Sequence, residues 1–325
     1  MNASAQRIGL VPHLARRKAW DLVATLAVDL EARGVEVRVP ASDAEVTGLD
    51  RWAVPDADFS KGLSLAFSLG GDGTMLRTVD VVLADGVPVL GVHVGHLGYL
   101  TAIDPDALPG ALDRLLAGDY ELEERMTVSI EVRRPGSAEL EHFHALNDAV
   151  IEKSSPGNTV RLGVAFNGQD FLDYSTDGLI IASPTGSTAY AFSVRGPIVS
   201  PLMRALVVVP ISPHMLFDRS LVLDGDETVT ATVLDGRAGT LFVDGRDCGL
   251  LPEGTVVVCR QGQHLAKLVT FGPRSFHRTV MTKFALPVPG IGLARERFTT
   301  ALAEEPSSSE ASSETLNAEM TARAQ

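Results

Sequence analysis

The sequence predicts an α/β N-terminal domain with a parallel sheet, followed by a β-rich, β-sandwich-like C-terminal domain. Strand-like apolar runs alternate with helical periods up to residue 119, as in parallel sheets. From Met126 the apolar period changes to 2, which is typical of half-buried strands. The 325 residues suffice for two domains, because single cores stop growing near about 250–300 residues. We place the domains at residues 1–119 and 120–275.

The first domain opens with a β-α-β unit, because two short apolar strands flank an amphipathic helix that ends at Gly34. The predicted elements are, in order, strand 8–11, helix 15–33, strand 35–39, strand 63–69, helix 74–84, strand 87–92 and helix 108–117. In a parallel sheet, ligands bind near the carboxyl ends of the strands. The loops that follow the strands are therefore the segments to inspect for function.

The loop after strand 63–69 is the most informative part of the chain. It reads Leu69-Gly70-Gly71-Asp72-Gly73-Thr74. Its glycines allow positive φ and a close approach of N–H groups to an anion, and the next helix adds its positive dipole end. A carboxylate there repels phosphate unless it binds a metal, takes a proton from a nucleophile or holds a sugar hydroxyl. A structural Asp-Gly turn is the alternative.

Composition restricts the partners. The formal charge of −13 argues against nucleic acid, so phosphates would have to be bound by a divalent metal, backbone N–H groups and a few arginines. Cys248 and Cys259 are too few for a disulfide framework, and the N-terminus lacks a signal-peptide pattern. No apolar run approaches the roughly 18 residues of a membrane span. We expect a cytoplasmic protein without a membrane partner.

The clearest turn of the second domain is Asn167-Gly168, a hairpin signal between strands 160–166 and 169–174. Further strands are predicted at 128–132, 206–209, 228–234, 240–243 and 255–259. Residues 276–296 form a separate segment. Residues 297–325 are rich in serine, alanine and glutamate and have too little apolar side chain to offset their ordering entropy, which predicts a disordered tail.

Residues 176–193 are dense in small and hydroxyl side chains around a strand at 179–182. We expect Ser187 or Thr188 to cap a helix over 189–193, although hydroxyls and free N–H groups at a helix start also suit a nucleotide. Upstream, Asn147-Asp148 precedes a strand at 149–151. Such a pair is most often a turn.

In this order and spacing, these segments resemble the NAD kinase family over about residues 8–290. The matching segments are the loop 70–74, the pair Asn147-Asp148, the run 177–193, the tripeptide Gly196-Pro197-Ile198, the stretch 91–101 and the turn Asp244-Gly245. Residues 185–190 are the most specific, since lipid kinases share the loop 70–74. The resemblance implies a fold of the NAD kinase/diacylglycerol kinase type, with residues 276–296 returning to the first domain, and a homodimer or homotetramer.

The resemblance also implies a reaction: Mg²⁺ or another divalent cation supports phosphoryl transfer from ATP or polyphosphate to the 2′-hydroxyl of the adenosine ribose of NAD. No residue is implied as a metal ligand. Asp72 would be the general base, and Asp177 would contact the nicotinamide end or a neighbouring protomer's ligand. The residues implied to bind substrate or nucleotide are Gly70, Gly71, Gly73, Thr74, Arg77, Asn147, Asp148, Arg161, Asp177, Thr188, Ala189, Tyr190, Ser193 and Arg246.

The sequence departs from the family pattern at three places. His93 stands in place of asparagine, Val194-Arg195 in place of a small pair such as Ala-Gly, and Arg246 in place of glutamine. Two alternative functions stay open from the residues, a lipid kinase of the diacylglycerol or sphingosine type and a nucleotide sensor without turnover. The sequence shows no amphipathic helix with a basic face, which a lipid kinase would use to reach a bilayer.

Overall fold

The computed structural model describes residues 6–95, 98–101, 103–272 and 275–284 of a chain that divides into two units, residues 1–274 and 275–325. In the first unit the strands are Arg7–Pro12 (β1), Glu36–Pro40 (β2), Ala53–Val54 (β3), Leu65–Gly70 (β4), Val89–His93 (β5), Glu121–Arg125 (β6), Val128–Arg133 (β7), Leu140–Ala145 (β8), Asp148–Lys153 (β9), Val160–Phe166 (β10), Gln169–Thr176 (β11), Gly178–Ala182 (β12), Ala205–Ile211 (β13), Leu221–Asp224 (β14), Val229–Leu234 (β15), Gly239–Val243 (β16), Arg246–Leu251 (β17), Val256–Gln261 (β18) and Ala266–Thr270 (β19). Its α-helices are Arg17–Ala32 (α1), Ala41–Thr47 (α2), Asp72–Val82 (α3), Leu108–Leu116 (α4) and Tyr190–Ser193 (α5). Short 3₁₀ turns lie at Asp50–Trp52, Asp56–Asp58, Leu83–Asp85, Pro105–Ala107 and Gly186–Thr188.

Seven strands form the first sheet, in the order β3-β2-β1-β4-β5-β19-β6. They run parallel except β6, which is antiparallel to β19. Pro12 pairs with Leu69, and Gly70 pairs with His93, so the carboxyl ends of β1, β4 and β5 meet at one edge. The glycine loop after β4 opens at this edge, where a parallel sheet places its ligands.

The other strands form two antiparallel sheets of six, in the orders β11-β10-β15-β18-β7-β8 and β14-β13-β12-β9-β16-β17. Ile130 and Leu162 from one sheet share a core with Ile151, Leu179 and Leu241 from the other. Alternate burial along β7 and β15 is what two facing sheets require. The predicted fold class, a parallel α/β half followed by a β-rich half, is confirmed.

Most predicted elements are present, and the Asn167-Gly168 hairpin joins β10 to β11 with φ of 51° and 77° at its two residues. One helix differs in its start. The helix predicted over 74–84 begins at Asp72 and ends at Val82, so the acid belongs to the first helical turn. A carboxylate in that turn is favoured by the helix dipole, which the apolar period alone does not reveal.

Two strands lie outside the predicted grouping. β6 and β19 both fall within residues 120–275, yet they pair with each other and extend the first sheet. The domain boundaries at 119 and 275 stay a prediction. Of the predicted segment 276–296, the structure describes one helix, Phe276–Lys283 (α6), and Phe284; the predicted tail 297–325 lies outside the described residues. None of the helices in the described residues is long and apolar enough to span a membrane.

Candidate active site

The glycine loop turns directly from β4 into α3, with Gly71 as the residue before the helix. None of Gly70, Gly71 and Gly73 uses the positive φ that glycine allows. Close approach is the reason for glycine at position 70. A Cβ there would lie 2.2 Å from Oγ1 of Thr74, whose side chain is buried beneath the loop.

The carboxylate of Asp72 is held by a second, distant loop. One oxygen accepts the N–H of Tyr99 at 2.8 Å, and the other accepts the N–H of Leu100 at 2.9 Å. A carboxylate has about four lone-pair sites, so each oxygen can still accept one more hydrogen bond. The group is therefore oriented and remains able to accept a proton.

Arg77 lies one turn further along α3 and was predicted to hold phosphate. Its guanidinium donates to the carboxylate of Asp43 in α2 and, at 2.5 Å, to the carbonyl of Pro12 at the end of β1. Burial raises the pKa of Asp43, and the bond from Arg77 opposes that rise. Arg77 thus ties α3 to the edge of the parallel sheet.

Asn147 and Asp148 lie at the start of β9, and one acid from elsewhere holds their backbone. The carboxylate of Asp244 accepts the N–H groups of Leu146, Asn147 and Asp148 at 2.8, 2.7 and 3.1 Å. Asp244 and Gly245 form the turn between β16 and β17, with φ of 48° and 77°. Asp148 is the first residue of β9, and Asn147 lies in the bend just before it, so the pair leads into the predicted strand.

Asp148 is a buried acid, with 4% of its surface exposed. Burial, helped by the nearby charge of Asp244, raises its pKa to about 7. Oδ2 of Asp148 has no hydrogen-bond partner among the described residues. A buried polar atom without a partner is costly, so this oxygen is free for a ligand.

A cavity of about 400 Å³ opens beside Asp148. The residues that line it are Leu76, Asn147, Asp148, Val150, Glu152, Ala189, Tyr190, Phe242, Asp244 and Gly245. Leu76 follows Asp72 by four residues in α3, so the two side chains lie on the same helical face. The first cavity therefore joins the face of α3 that carries Asp72 to the start of β9. Its volume suits a small organic ligand.

A second cavity of about 370 Å³ shares Glu152 and Tyr190 with the first. Its wall includes Lys153 and Asp177, whose side chains form an ion pair at 2.7 Å. Burial, followed by a hydrogen bond with Glu152, raises the pKa of Tyr190 to about 12, so its hydroxyl stays protonated. The two cavities therefore adjoin at Glu152 and Tyr190, and we call them the two compartments of the site.

The hydroxyl-rich run 183–188 packs against the backbone of Asn147. The capping role expected of Ser187 or Thr188 is wrong: Oγ of Ser187 donates to the Pro184 carbonyl at 2.6 Å, and Thr188 donates to the Thr185 carbonyl at 3.2 Å. Gly186 packs against the Asn147 carbonyl oxygen, which would lie 2.1 Å from a Cβ at that position.

Several predicted binding residues lie outside both cavities. Arg161 is paired with Asp173 and Asp235, and Arg246 binds Asp80 of α3 at 2.9 Å. Thr188 and the exposed Ser193 also do not line them. Conversely, four residues that line the first cavity were not predicted: Leu76, Val150, Glu152 and Phe242. In the sequence each of them is an ordinary helix or strand residue. The turn Asp244-Gly245 was identified in the sequence, but no role in the site was predicted for Asp244.

Comparison with known proteins identifies the family. The model of the ATP-NAD kinase N-terminal domain matches residues 14–120, and that of the ATP-NAD kinase C-terminal domain matches residues 146–271. An NAD kinase of Leifsonia xyli subsp. xyli is 38% identical over 284 residues, which cover 87% of this chain and 87% of that protein. The chain belongs to the NAD kinase family. The resemblance found in the sequence is confirmed, and the lipid kinase alternative is set aside.

Solved structures show the same fold. Yeast NADH kinase complexed with NADH superimposes with a TM-score of 0.81 at 22% identity, covering 88% of this chain and 89% of that chain. An NAD kinase from Archaeoglobus fulgidus in complex with ATP gives a TM-score of 0.65 at 21% identity, covering 86% and 98%. The NAD kinase architecture therefore extends over nearly all of the described chain.

Two departures from the usual NAD kinase pattern have clear structural settings. His93 ends β5 and is buried, with Nε2 2.5 Å from Oδ1 of Asp104. Arg195 follows α5 with φ of 67°, a left-handed conformation that favours glycine. Its N–H donates to the Phe192 carbonyl at 3.0 Å, which closes the end of the helix.

We expect Arg195→Gly to stabilise the protein. Removing Cβ relieves the left-handed strain, and after the added flexibility of the unfolded chain the free energy of unfolding should rise by about 0.5–1 kcal/mol. Urea unfolding measures it. Arg195→Ala is the matched control, since it removes the charge but keeps Cβ and should gain nothing. Equal gains in both variants would contradict the backbone explanation.

We expect Asp148→Asn to stabilise the protein at pH 8 but not at pH 4. The folded-state pKa of about 7 exceeds the unfolded value of about 3.9, so folded protein binds the extra proton between these values. The free energy of unfolding of the wild type therefore falls as pH rises through that window. The neutral variant avoids this loss, which amounts to up to about 4 kcal/mol. A stability difference independent of pH in urea titrations would contradict the buried-acid interpretation.

Proposed function

We propose that this NAD kinase family member transfers the terminal phosphoryl group of ATP to the 2′-hydroxyl of the adenosine ribose of NAD, giving NADP. The observation that carries the proposal is the placement of Asp72 at the start of α3. The helix face that bears it reaches, at Leu76, a cavity whose other wall holds Asn147 and Asp148. Membership of the family supports the substrate.

The step exchanges one bond for another. The 2′-oxygen forms a bond to the γ-phosphorus, the bond from that phosphorus to the β,γ-bridging oxygen breaks, and ADP leaves. The 2′-hydroxyl proton passes to Asp72. In-line placement matters most in such a transfer, so a carboxylate fixed by two N–H groups suits the task.

The two compartments give the dinucleotide its orientation. In the first cavity, the ribose hydroxyls of the adenosine half would meet Asn147 and Asp148, and the base would lie against Ala189 and Tyr190. The nicotinamide half would occupy the second cavity, near Asp177. With a pKa of about 7, Asp148 can donate one hydrogen bond and accept another near neutral pH, as a diol requires.

The donor would be bound at the glycine loop, where Gly71, Gly73 and Thr74 start α3 and provide the positive dipole end. Arg77 acts indirectly in this proposal, because its guanidinium fixes α3 to β1 and α2. Arg161, Thr188, Ser193 and Arg246 stay predicted ligand contacts for an assembled enzyme. Polyphosphate as donor, a homodimer or homotetramer, a cytoplasmic location, and the lack of nucleic-acid and membrane partners also stay predictions.

A divalent cation fits this arrangement as a companion of the donor. Within the described residues, no three His, Cys, Asp or Glu side chains are grouped as a protein metal site requires. Mg²⁺ commonly binds through phosphates, waters and one or two carboxylates. When bound, the ion neutralises charge on the transferring phosphoryl group. Asp72, at the phosphate loop, is the carboxylate that could share it.

We expect Asp72→Asn to lower kcat by about 10²–10⁴-fold, the usual value of general-base assistance, with NAD affinity within a few-fold of wild type. Coupled NADP assays and calorimetry measure the two quantities. The amide nitrogen would face the Tyr99 or Leu100 N–H, so thermal unfolding serves as the check that the loop survives. Near-normal turnover in a folded variant would refute the role of Asp72.

We expect chelation by EDTA to abolish NADP formation and leave the melting temperature within about 1 °C, because the described side chains form no metal cluster that supports the fold. Added Mg²⁺ should restore activity. A large fall in melting temperature on chelation would contradict an ion that is bound through the phosphates.

The same assay tests the alternative function. If the protein bound NAD tightly but made no NADP with Mg²⁺ and either ATP or polyphosphate, it would be a nucleotide sensor instead of an enzyme.

A further inference from the structure

We propose that Asp244 is a positioning residue for the dinucleotide, which fixes Asn147 and Asp148 by binding the backbone that carries them. The inference rests on the proposed function, in which those two residues contact NAD. Asp244 lines the first cavity, but its carboxylate is already used by three peptide N–H groups. Its effect on a ligand is therefore mainly indirect.

Asp244 is needed because the hydrogen-bonded ladder between β9 and β16 stops before residues 146–148. β9 pairs with β16 only up to the partners Ala149 and Val243. The N–H groups of residues 146–148 lie beyond that last pair and converge on the Asp244 carboxylate. Successive N–H groups that point to one place form an anion-binding concavity, and here the protein supplies its own anion. The same residue also donates its N–H to the Asp148 carbonyl at 3.0 Å.

The turn makes the carboxylate's position precise. Asp244 has φ of 48° and is followed by Gly245 at 77°, a two-residue connection that a strand hairpin favours. The hairpin's strands, β16 and β17, pair with each other, and β16 also pairs with β9. Asp244 follows β16, the strand that pairs with β9, and its carboxylate binds the backbone at the start of β9. It can therefore move little unless β9 moves too.

No neutral side chain of the same shape can replace these bonds. Asparagine has one acceptor oxygen, and its amide nitrogen would meet a peptide N–H, donor against donor. Burial raises the pKa of Asp244, while the three N–H bonds lower it, which indicates that the hydrogen bonds offset part of the desolvation of the charge. Loss of the acceptor would let residues 146–148 shift.

The test is Asp244→Asn, with NAD and ATP examined separately. A shift of about 1 Å in a positioned group can cost about 100-fold, so the NAD KM and the calorimetric Kd should rise by about 10- to 100-fold. The ATP KM should stay within about twofold, because the glycine loop is not touched. A merely structural role would reduce the amount of folded enzyme, and hence the apparent kcat, but would leave both KM values unchanged.

Asp247→Asn is the matched control. Asp247 lies three residues further in the same hairpin, is exposed, and accepts one backbone N–H, that of Gly249, at 2.8 Å. We expect wild-type values of KM and Kd for this variant. An NAD effect of equal size in both variants would overturn the proposal, since it would show a general response of the hairpin.

A second variant keeps the test decisive if Asp244→Asn does not fold. Gly245→Ala keeps the carboxylate but strains the turn at φ of 77°, and should raise the NAD Kd by about 2- to 5-fold. Unchanged NAD Kd in every folded variant overturns the proposal. If the wild type binds NAD but forms no NADP, the proposed function fails, whereas the Kd comparison still decides the role of Asp244.

Discussion

Each half of the site depends on one acid that accepts backbone N–H groups from a distant part of the chain. Asp72 binds residues 27 and 28 positions away, and Asp244 binds three that are 96 to 98 positions away. Hydrogen bonds to a charged acceptor are stronger than neutral ones and leave the peptide little freedom. The bonds of Asp72 join the glycine loop to residues 99 and 100, and those of Asp244 join the β16–β17 turn to the start of β9.

The apolar frame explains why these acids can be used so close to the interior. Leu10 and Phe67 of the parallel sheet are fully buried, as are Ile151 and Leu241 between the antiparallel sheets. The free energy gained by this burial offsets the cost of desolvating the carboxyl groups of Asp148 and Asp244. The site lies at the end of β4 and at the start of β9, so its polar groups need not be enclosed on all sides.

Electrostatics give the site a distinct character. The chain carries a formal charge of −13, and acids line the first cavity at Asp148, Glu152 and Asp244. Two nearby arginines already form ion pairs, Arg77 with Asp43 and Arg246 with Asp80. Such a surface suits hydroxyl and amine groups better than bare phosphate. In the proposed reaction the acids would contact the sugar, whereas the helix dipole and a divalent ion would balance the charge of the phosphates.

The fold class, the family and the loop that carries Asp72 could all be predicted from the sequence, because they depend on local signals: apolar period, turn residues and the spacing of short motifs. The sequence also marked Asn147-Asp148 and the run 185–190. Which of these groups meet depends on how the strands and helices pack, and the sequence did not predict it. Leu76, Glu152 and Phe242 join the site through packing, the hydroxyls of 183–188 became internal supports, and Arg161 was drawn to two surface acids. Asp244 shows the reason most clearly: its partners lie almost a hundred residues away, and a pairing between such distant segments is fixed by strand register, which no short pattern records.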